Sequence, residues 1–339
     1  MRHWRIGILG LIVSLVAVYF MVSEIDFKLL GEAIEQARWV YIVPCVALLL
    51  AGLVTRGVRW QLLLNHTLPF WRAFHIMNVA YLVNGVLPLR IGEIARMYLA
   101  TRAQPPVPVF QTASTIIIER LLDLLGVVML LALALTVSPL PVELQSVGLL
   151  MGIAAPIGFI VAVVLSRKRE VSHRVLVFLT ARMPFLKRFD LVTWLDQFLD
   201  GLEPLAQLRT LFFAVFWTAL SWAFSVLAGY VLMYTFYDEA SWAATALYIA
   251  AAAFAIAVPA TLASLGVYEG AIVLALQAFE YGEPAAVAVA FAVTVHFVNV
   301  FVHSITGVIG FIAEGITIEQ LSAGVENARQ EMKVGHESR

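Results

Sequence analysis

The sequence predicts an all-α polytopic membrane protein, with about six full spans and two re-entrant helical hairpins. Three observations lead there. Of 339 residues, 61% are hydrophobic and only 13% charged, whereas a soluble domain is about 45–50% apolar and about 25% charged. The apolar residues gather into runs long enough to cross a bilayer as helices. Two of those runs are interrupted by a proline, then a glycine, then a carboxylate: Pro88, Gly92 and Glu93 in one, Pro259, Gly266 and Glu269 in the other. If each limb of the interrupted runs crosses completely, the topology becomes eight full spans instead.

Taken in order, Met1-Arg-His-Trp-Arg5 is basic and residues 6–22 are apolar. No small-x-small cleavage site follows, so a retained first helix with a cytoplasmic N-terminus is expected. Residues 23–38 hold Glu24, Asp26, Lys28, Glu32, Glu35 and Arg38 and read as an external loop. Residues 39–55 span back, and Arg56 and Arg59 mark that end as cytoplasmic by the positive-inside rule. Pro69, Trp71 and Arg72 make an interfacial turn. Residues 73–89 are apolar but dotted with His75, Asn78 and Asn84, and residues 91–101 form a short helix. Together these two pieces fit a hairpin that enters and leaves on the cytoplasmic side, closed off by Pro105, Pro106 and Pro108.

Residues 112–137 form a span with Glu119, Arg120 and Asp123 in its first third, and Pro139 and Pro141 a short external turn. Residues 147–165 return inward. Residues 166–209 are the longest polar segment, and seven basic residues among the first 23 place it in the cytoplasm. There Phe185, Phe189, Leu191, Trp194, Leu195 and Phe198 recur near helical spacing. An amphipathic helix on anionic headgroups fits this pattern, and so does a helix packed on the protein's own cytoplasmic face. Residues 210–236 span outward to Asp238 and Glu239. Residues 244–262 and 270–279 form the second hairpin, entering from outside. Residues 285–313 are the last span. The chain thus reads as one membrane domain over residues 1–315, with the 166–209 loop inside it, and a charged cytoplasmic tail over 316–339.

Composition also narrows the function. A net charge of −1 points to no nucleic-acid partner. The single cysteine, Cys45, allows no internal disulfide. The polar loops are too short to hold a separate aqueous catalytic domain, so any activity sits in the membrane or at its surface. Arg outnumbers Lys 18 to 4, which suits bidentate phosphate recognition and also follows from base composition alone.

The charges within the apolar runs carry the functional reading. Glu93, Glu119, Asp123 and Glu269 stand against Arg90, Arg96 and Arg120. At about 2.5–3.5 kcal/mol each near mid-membrane, seven unpaired charges would cost on the order of 20 kcal/mol, more than the roughly 5–15 kcal/mol stability of a fold. They must therefore pair with one another or line a wet cavity. Pairing alone describes a purely structural network. A wet cavity describes a site where Asn84, Arg90, Gly92, Arg96, Arg120 and Gly266 bind a headgroup. The helices starting near Gly92 and Gly266 would present free N–H groups to an anion, with guanidinium forks beside the first. Glu93, Glu119, Asp123 and Glu269 would gate or couple protons there, or else cap the helix starts and pair with arginine. His296, Asn299 and His303 share a helical face, as a proton relay, a polar lining or interhelical hydrogen bonds. No metal site and no cofactor are expected: no cysteine or carboxylate accompanies the histidines, and no P-loop, GxSxG, HExxH or dinucleotide fingerprint occurs.

Asn84, Leu87-Pro88-x-Arg90-x-Gly92-Glu93-x-x-Arg96, Glu119-Arg120-x-x-Asp123 and Leu265-Gly266-x-x-Glu269 together resemble the flippase-like membrane domain of lysylphosphatidylglycerol synthases, over about residues 5–315. The resemblance implies a lipid or polyprenyl-phosphate translocase of the bacterial inner membrane, with both termini cytoplasmic. In the two-domain synthases a soluble acyltransferase-like domain makes the aminoacyl lipid. This chain ends at Arg339 without one, so translocation rather than aminoacylation is expected. Its partners would be membrane lipids with an anionic or phosphate headgroup, and lipid-biosynthesis enzymes. An intramembrane transferase acting on lipid-linked sugars, with Glu93 or Glu119 as general base, and a non-catalytic subunit of a lipid-synthesis complex are the alternatives.

Overall fold

The structure is a computed structural model that describes residues 26–86, 91–135, 153–182 (apart from 155, 162, 165 and 166), 191–257, 265–317, and residues 320 and 323. The expected first span, Leu87 to Arg90, the turn at Pro139 and Pro141, Phe185, Phe189, Pro259 and most of the charged tail lie outside the described residues. Among the described residues the chain is helical, with no strand.

The helices are α1 (Phe27–Gln36), α2 (Ile42–Leu63), α3 (Phe70–Val86), α4 (Gly92–Thr101), α5 (Val109–Leu135), α6 (Arg169–Arg182), α7 (Leu191–Ala206), α8 (Leu208–Met233), α9 (Trp242–Ala257), α10 (Val267–Gln277) and α11 (Ala285–Glu314). Three stretches are long and apolar enough to cross a membrane: Trp39–Leu63, in which one 3-10 turn leads into α2, then Leu208–Met233 and Ala285–Glu314. The 27-residue α5 is as long as these but carries charges at mid-length. Their surfaces face hydrocarbon in the expected sense. Val43, Leu50 and Val54 on α2, Phe212, Phe216 and Leu227 on α8, and Phe297, Phe301, Ile305 and Ile312 on α11 are all exposed. The polar groups point inward, as lipid on the outside requires.

The two interrupted runs fold as helical pairs, α3 with α4 and α9 with α10. Each pair joins a longer helix to one of 10 or 11 residues, about 15 Å long and too short to cross about 30 Å of hydrocarbon. The pairs start from opposite ends of the bundle. At one end Leu64, Leu68, Ala100, Ala103 and Val107 share a core cluster, which gathers both feet of the first pair. At the other, Tyr237 donates from its hydroxyl to the Tyr281 carbonyl at 2.9 Å, which gathers both feet of the second. The long helices tie the ends together. α2 packs along α8, and α11 packs along α3, with Arg72 and Glu314 paired at 3.2 Å.

The contacts are close where small residues allow them. Gly307 and Gly310 on α11 sit against the backbone oxygens of Asn78 and His75 on α3. A side chain at Gly307 would come within 2.9 Å of the first, and one at Gly310 within 2.7 Å of the second. In the 191–206 region the amphipathic pattern is satisfied by the protein itself. Leu195, Phe198, Leu199, Leu202 and Leu205 of α7 pack with Ile118 and Leu122 of α5, and Trp194 stacks on Phe110 at 5.0 Å. Gly201 lets the two helices touch: a Cβ there would press on Ser114 and come within 2.6 Å of the Gln111 carbonyl. Gly31 in α1 has open space around it. Gly201→Ala should therefore destabilise by about 1–3 kcal/mol, while Gly31→Ala should be neutral or stabilising by up to about 1 kcal/mol. Thermal denaturation of the two variants in detergent checks the pair.

Candidate functional site

The centre of the bundle is an ion-pair network built by α2, α4 and α5. Glu119 is fully buried on α5. Arg96 of α4 donates from Nη1 to its Oε2 at 2.6 Å, and Arg59 of α2 stands 3.7 Å from its Oε1. Arg59 also donates to Asp123 Oδ1 at 2.9 Å and to Thr218 Oγ1 of α8 at 3.0 Å. Arg120, a third exposed, lies 3.6 Å from Asp123 Oδ2. The Arg96 guanidinium lies 3.8 Å from the centre of the Trp60 ring, and the Trp60 indole donates to Thr115 Oγ1 at 3.1 Å. The i, i+4 spacing of Glu119 and Asp123 puts both carboxylates on one face of α5, so a single arginine on α2 reaches both.

The expected charges divide into two groups. Arg96, Glu119, Arg120 and Asp123 meet in this network, and the field of Glu93 reaches Arg120. Glu269 stands apart. One of its oxygens accepts from the Gly266 backbone N–H at 2.7 Å, and the other pairs with His296 Nδ1 at 2.5 Å. Gly266 takes φ +82°, a conformation glycine adopts without strain, and this starts α10 with Glu269 folded back as its cap. The expected capping role of Glu269 is thus present together with a tie to α11. At the first break the polar group is different. Asn84 Oδ1 accepts from the Gly92 N–H at 2.8 Å, and a Cβ at Gly92 would strike the Ala80 carbonyl, so glycine is needed for close approach. Arg90 lies outside the described residues.

His296, Asn299 and His303 sit at the mid-length of α11. Glu269, at the start of α10, meets His296. Tyr81, near the end of α3, meets the His303 ring edge to face at 5.3 Å. The inner ends of the two helical pairs therefore approach α11 seven residues apart, about 10 Å along its axis, with Asn299 between them. Asn299 and His303 each also bond within the helix, to the Val295 and Asn299 carbonyls at 2.8 Å. Beside this stripe lies a cavity of about 170 Å³, walled by α2, α8, α9, α10 and α11 and including Arg56, Tyr248, Tyr268, Asn299 and His303.

Sequence reasoning misplaced two residues. It ends the second span at residue 55 and reads Arg56 and Arg59 as its cytoplasmic rim. The helix runs on to Leu63, Arg59 is 1% exposed, and Arg56 donates to Ser221 Oγ of α8 at 2.9 Å. The positive-inside rule counts arginines and does not see the carboxylates of α5 that hold this one inside. The signal for finding them was on α8: Thr218 and Ser221, three apart in an apolar run, form a polar strip facing both arginines. Among the described residues no group of three or more His, Cys, Asp or Glu is placed to hold a metal.

Removing one member of a buried pair strands the other. Glu119→Gln should cost about 3–5 kcal/mol, because Arg96 then has no carboxylate partner among the described residues. Arg120→Gln, at a partly exposed and longer pair, should cost under about 1 kcal/mol. Melting temperatures in a fixed detergent give the comparison.

Neither a curated protein nor a solved structure matches this chain. A family model described as the lysylphosphatidylglycerol synthase TM region matches residues 7–307. This match takes in every helix of the bundle up to the latter part of α11. The chain belongs to the lysylphosphatidylglycerol synthase transmembrane-region family and is a multi-pass membrane protein.

Proposed function

We infer that this protein is a translocase for membrane lipids with an anionic or phosphate headgroup. The observation that carries the inference is the polar stripe His296, Asn299 and His303, at the middle of the longest helix, flanked by the inner ends of two helical pairs that enter from opposite ends. A headgroup crossing hydrocarbon needs such a polar path at mid-depth. Broken helices in corresponding positions of two halves commonly build one. The two pairs are read here as membrane re-entrant hairpins, and the residues around their breaks as binding groups: Asn84, Arg90 and Gly92 in one, Gly266 in the other.

The network gives the remaining residues their roles. Arg96 is buried, stacked and ion-paired, so it positions α4 against α5 rather than touching lipid. Arg120 and Glu93 lie at its more accessible side. Glu269 and His296 form the pair most suited to opening and closing, since they join the start of a short helix to the middle of a long one. The family name supports a lipid as the cargo, and the bacterial inner membrane, with both termini cytoplasmic, is the setting this reading assigns.

Reconstitution in vesicles with a lipid carrying a fluorescent headgroup label tests the inference. Added quencher reports the leaflet, and mass analysis reports the lipid's chemistry. The wild-type protein should speed exchange between leaflets and return the lipid unchanged. Glu269→Gln should slow exchange by about tenfold or more, since a hydrogen bond to a charged group contributes about 1.5–3 kcal/mol. A folded Glu269→Gln protein exchanging lipid at the wild-type rate, or a product of new mass, overturns the translocase reading.

A further inference from the structure

The cavity beside the α11 stripe is a slot that runs along the bundle axis. On α2 its wall passes from Cys45 through Leu49 and Leu53 to Arg56, and on α8 from Leu232 through Ala228 to Ser225 and Trp222. Each strip is about 15 Å long. The two helices run side by side in opposite directions, since Arg56 meets Ser221 and Tyr41 meets Tyr234, so the strips share their ends. The end at Cys45 and Leu232 is largely apolar. The other carries Arg56 and Ser225, with Asn299 and His303 of α11 beside them. On the α9 side the wall includes Ile249, Ala252, Ala253 and Ile256, which bring no polar side chain. Ile256 is also 48% exposed, on a bundle whose outer surface is made of large apolar side chains. The slot therefore opens at Ile256 onto the surface that faces hydrocarbon.

Size and chemistry decide what fits. A buried water needs about two to four polar partners, which the wall from Leu49 and Leu53 across to Ile249 and Ala252 does not supply. Hydrocarbon needs none, and it gains dispersion contacts with the side chains around it. An apolar cavity of about 150 Å³ is enough for one six-carbon ring, whereas sites for whole drug-sized ligands measure about 300–1,000 Å³. At about 170 Å³ the slot matches part of one chain and excludes a headgroup together with two chains. We propose that it takes one hydrocarbon chain of a membrane lipid, which enters sideways past Ile256, lies toward Cys45 and leaves the polar end of the lipid at Asn299 and His303. The cargo thus joins the polar stripe from within the bilayer, not from the water at either end. Glycerolipids and isoprenoid lipids both carry such a chain. The proposal rests on the translocase reading for its purpose, but its test reads only where the chain lies.

Two probes are used: a phosphatidylglycerol with a diazirine at the end of one acyl chain, and an isoprenoid phosphate with a diazirine on its prenyl chain. The full-length protein in phosphatidylcholine vesicles holding a trace of either probe is irradiated, and mass spectrometry maps the labelled residues. Leu53 and Ala252 line the slot and are 4% and 5% exposed, so chains of the surrounding bilayer do not reach them. At least one probe should label both, and the probe that does so names the lipid class. Ile256→Trp blocks the mouth and should lower this labelling about tenfold or more, because overfilling a packed site costs at least that factor in occupancy. Labelling of Phe297 and Phe301, which face outward on α11, should stay as it was. Val43→Trp, at an exposed position outside the slot, should change nothing. Label confined to outward-facing residues with both probes, or a folded Ile256→Trp protein with Leu53 and Ala252 labelled as before, overturns the proposal. Should Ile256→Trp fail to fold, Ala253→Phe, which narrows the slot from its wall, must give the same drop, and unchanged labelling overturns it equally. A wild-type protein that exchanges lipid between leaflets with Leu53 and Ala252 unlabelled defeats the slot and leaves the translocase reading standing. One labelled there that moves no lipid does the reverse.

Discussion

The structure depends on one constraint: a carboxylate fully removed from water must keep its counter-charges. Glu119 sits between Arg59 and Arg96, and those two arginines come from different helices. In hydrocarbon no solvent stands ready to replace a missing partner, so α2, α4 and α5 are tied to one arrangement. The Trp60 ring under Arg96 and the Thr115 hydroxyl beneath the indole extend the same arrangement by a layer. Several nitrogens of these arginines have no hydrogen-bond partner among the described residues. The pairing therefore satisfies charge more completely than it satisfies hydrogen bonding.

Around that centre the bundle sorts its surfaces in the opposite sense from a soluble protein. Large apolar side chains of α2, α8 and α11 face outward. Inside, small residues bring helices close and threonine and serine hydroxyls turn back to the carbonyls three or four residues earlier. Helix association in lipid relies on such close packing and local hydrogen bonding, because apolar burial offers little gain there. Gly201 against α5, Gly92 against α3, and Gly126 under the Trp222 indole are among the closest of these approaches, and Gly307 and Gly310 bring α11 onto α3 in the same way.

Much of this was legible in the sequence for a clear reason. Long-range hydropathy and breaks in it are one-dimensional signals. The Pro-Gly-Glu interruptions led to two helical pairs, and the four-residue spacing of Glu119 and Asp123 led to one charged face. Pairings between distant residues leave no such trace. Nothing local to Glu269 names His296, 27 residues on, as its partner, and nothing local to Arg59 names Glu119. Arg56 and Arg59 were hidden further, because arginine after an apolar run is the usual mark of a cytoplasmic end. The 191–206 segment shows the limit of periodicity: an apolar face foretells burial, and here α5 rather than a headgroup layer covers it.

Glu269 uses both of its oxygens, one on the Gly266 backbone and one on His296. The start of α10 and its anchorage to α11 are therefore fastened by the same side chain. A change at that one group therefore bears on both joints at once, while Ile272, Ala275 and Leu276 keep the short helix seated in the core.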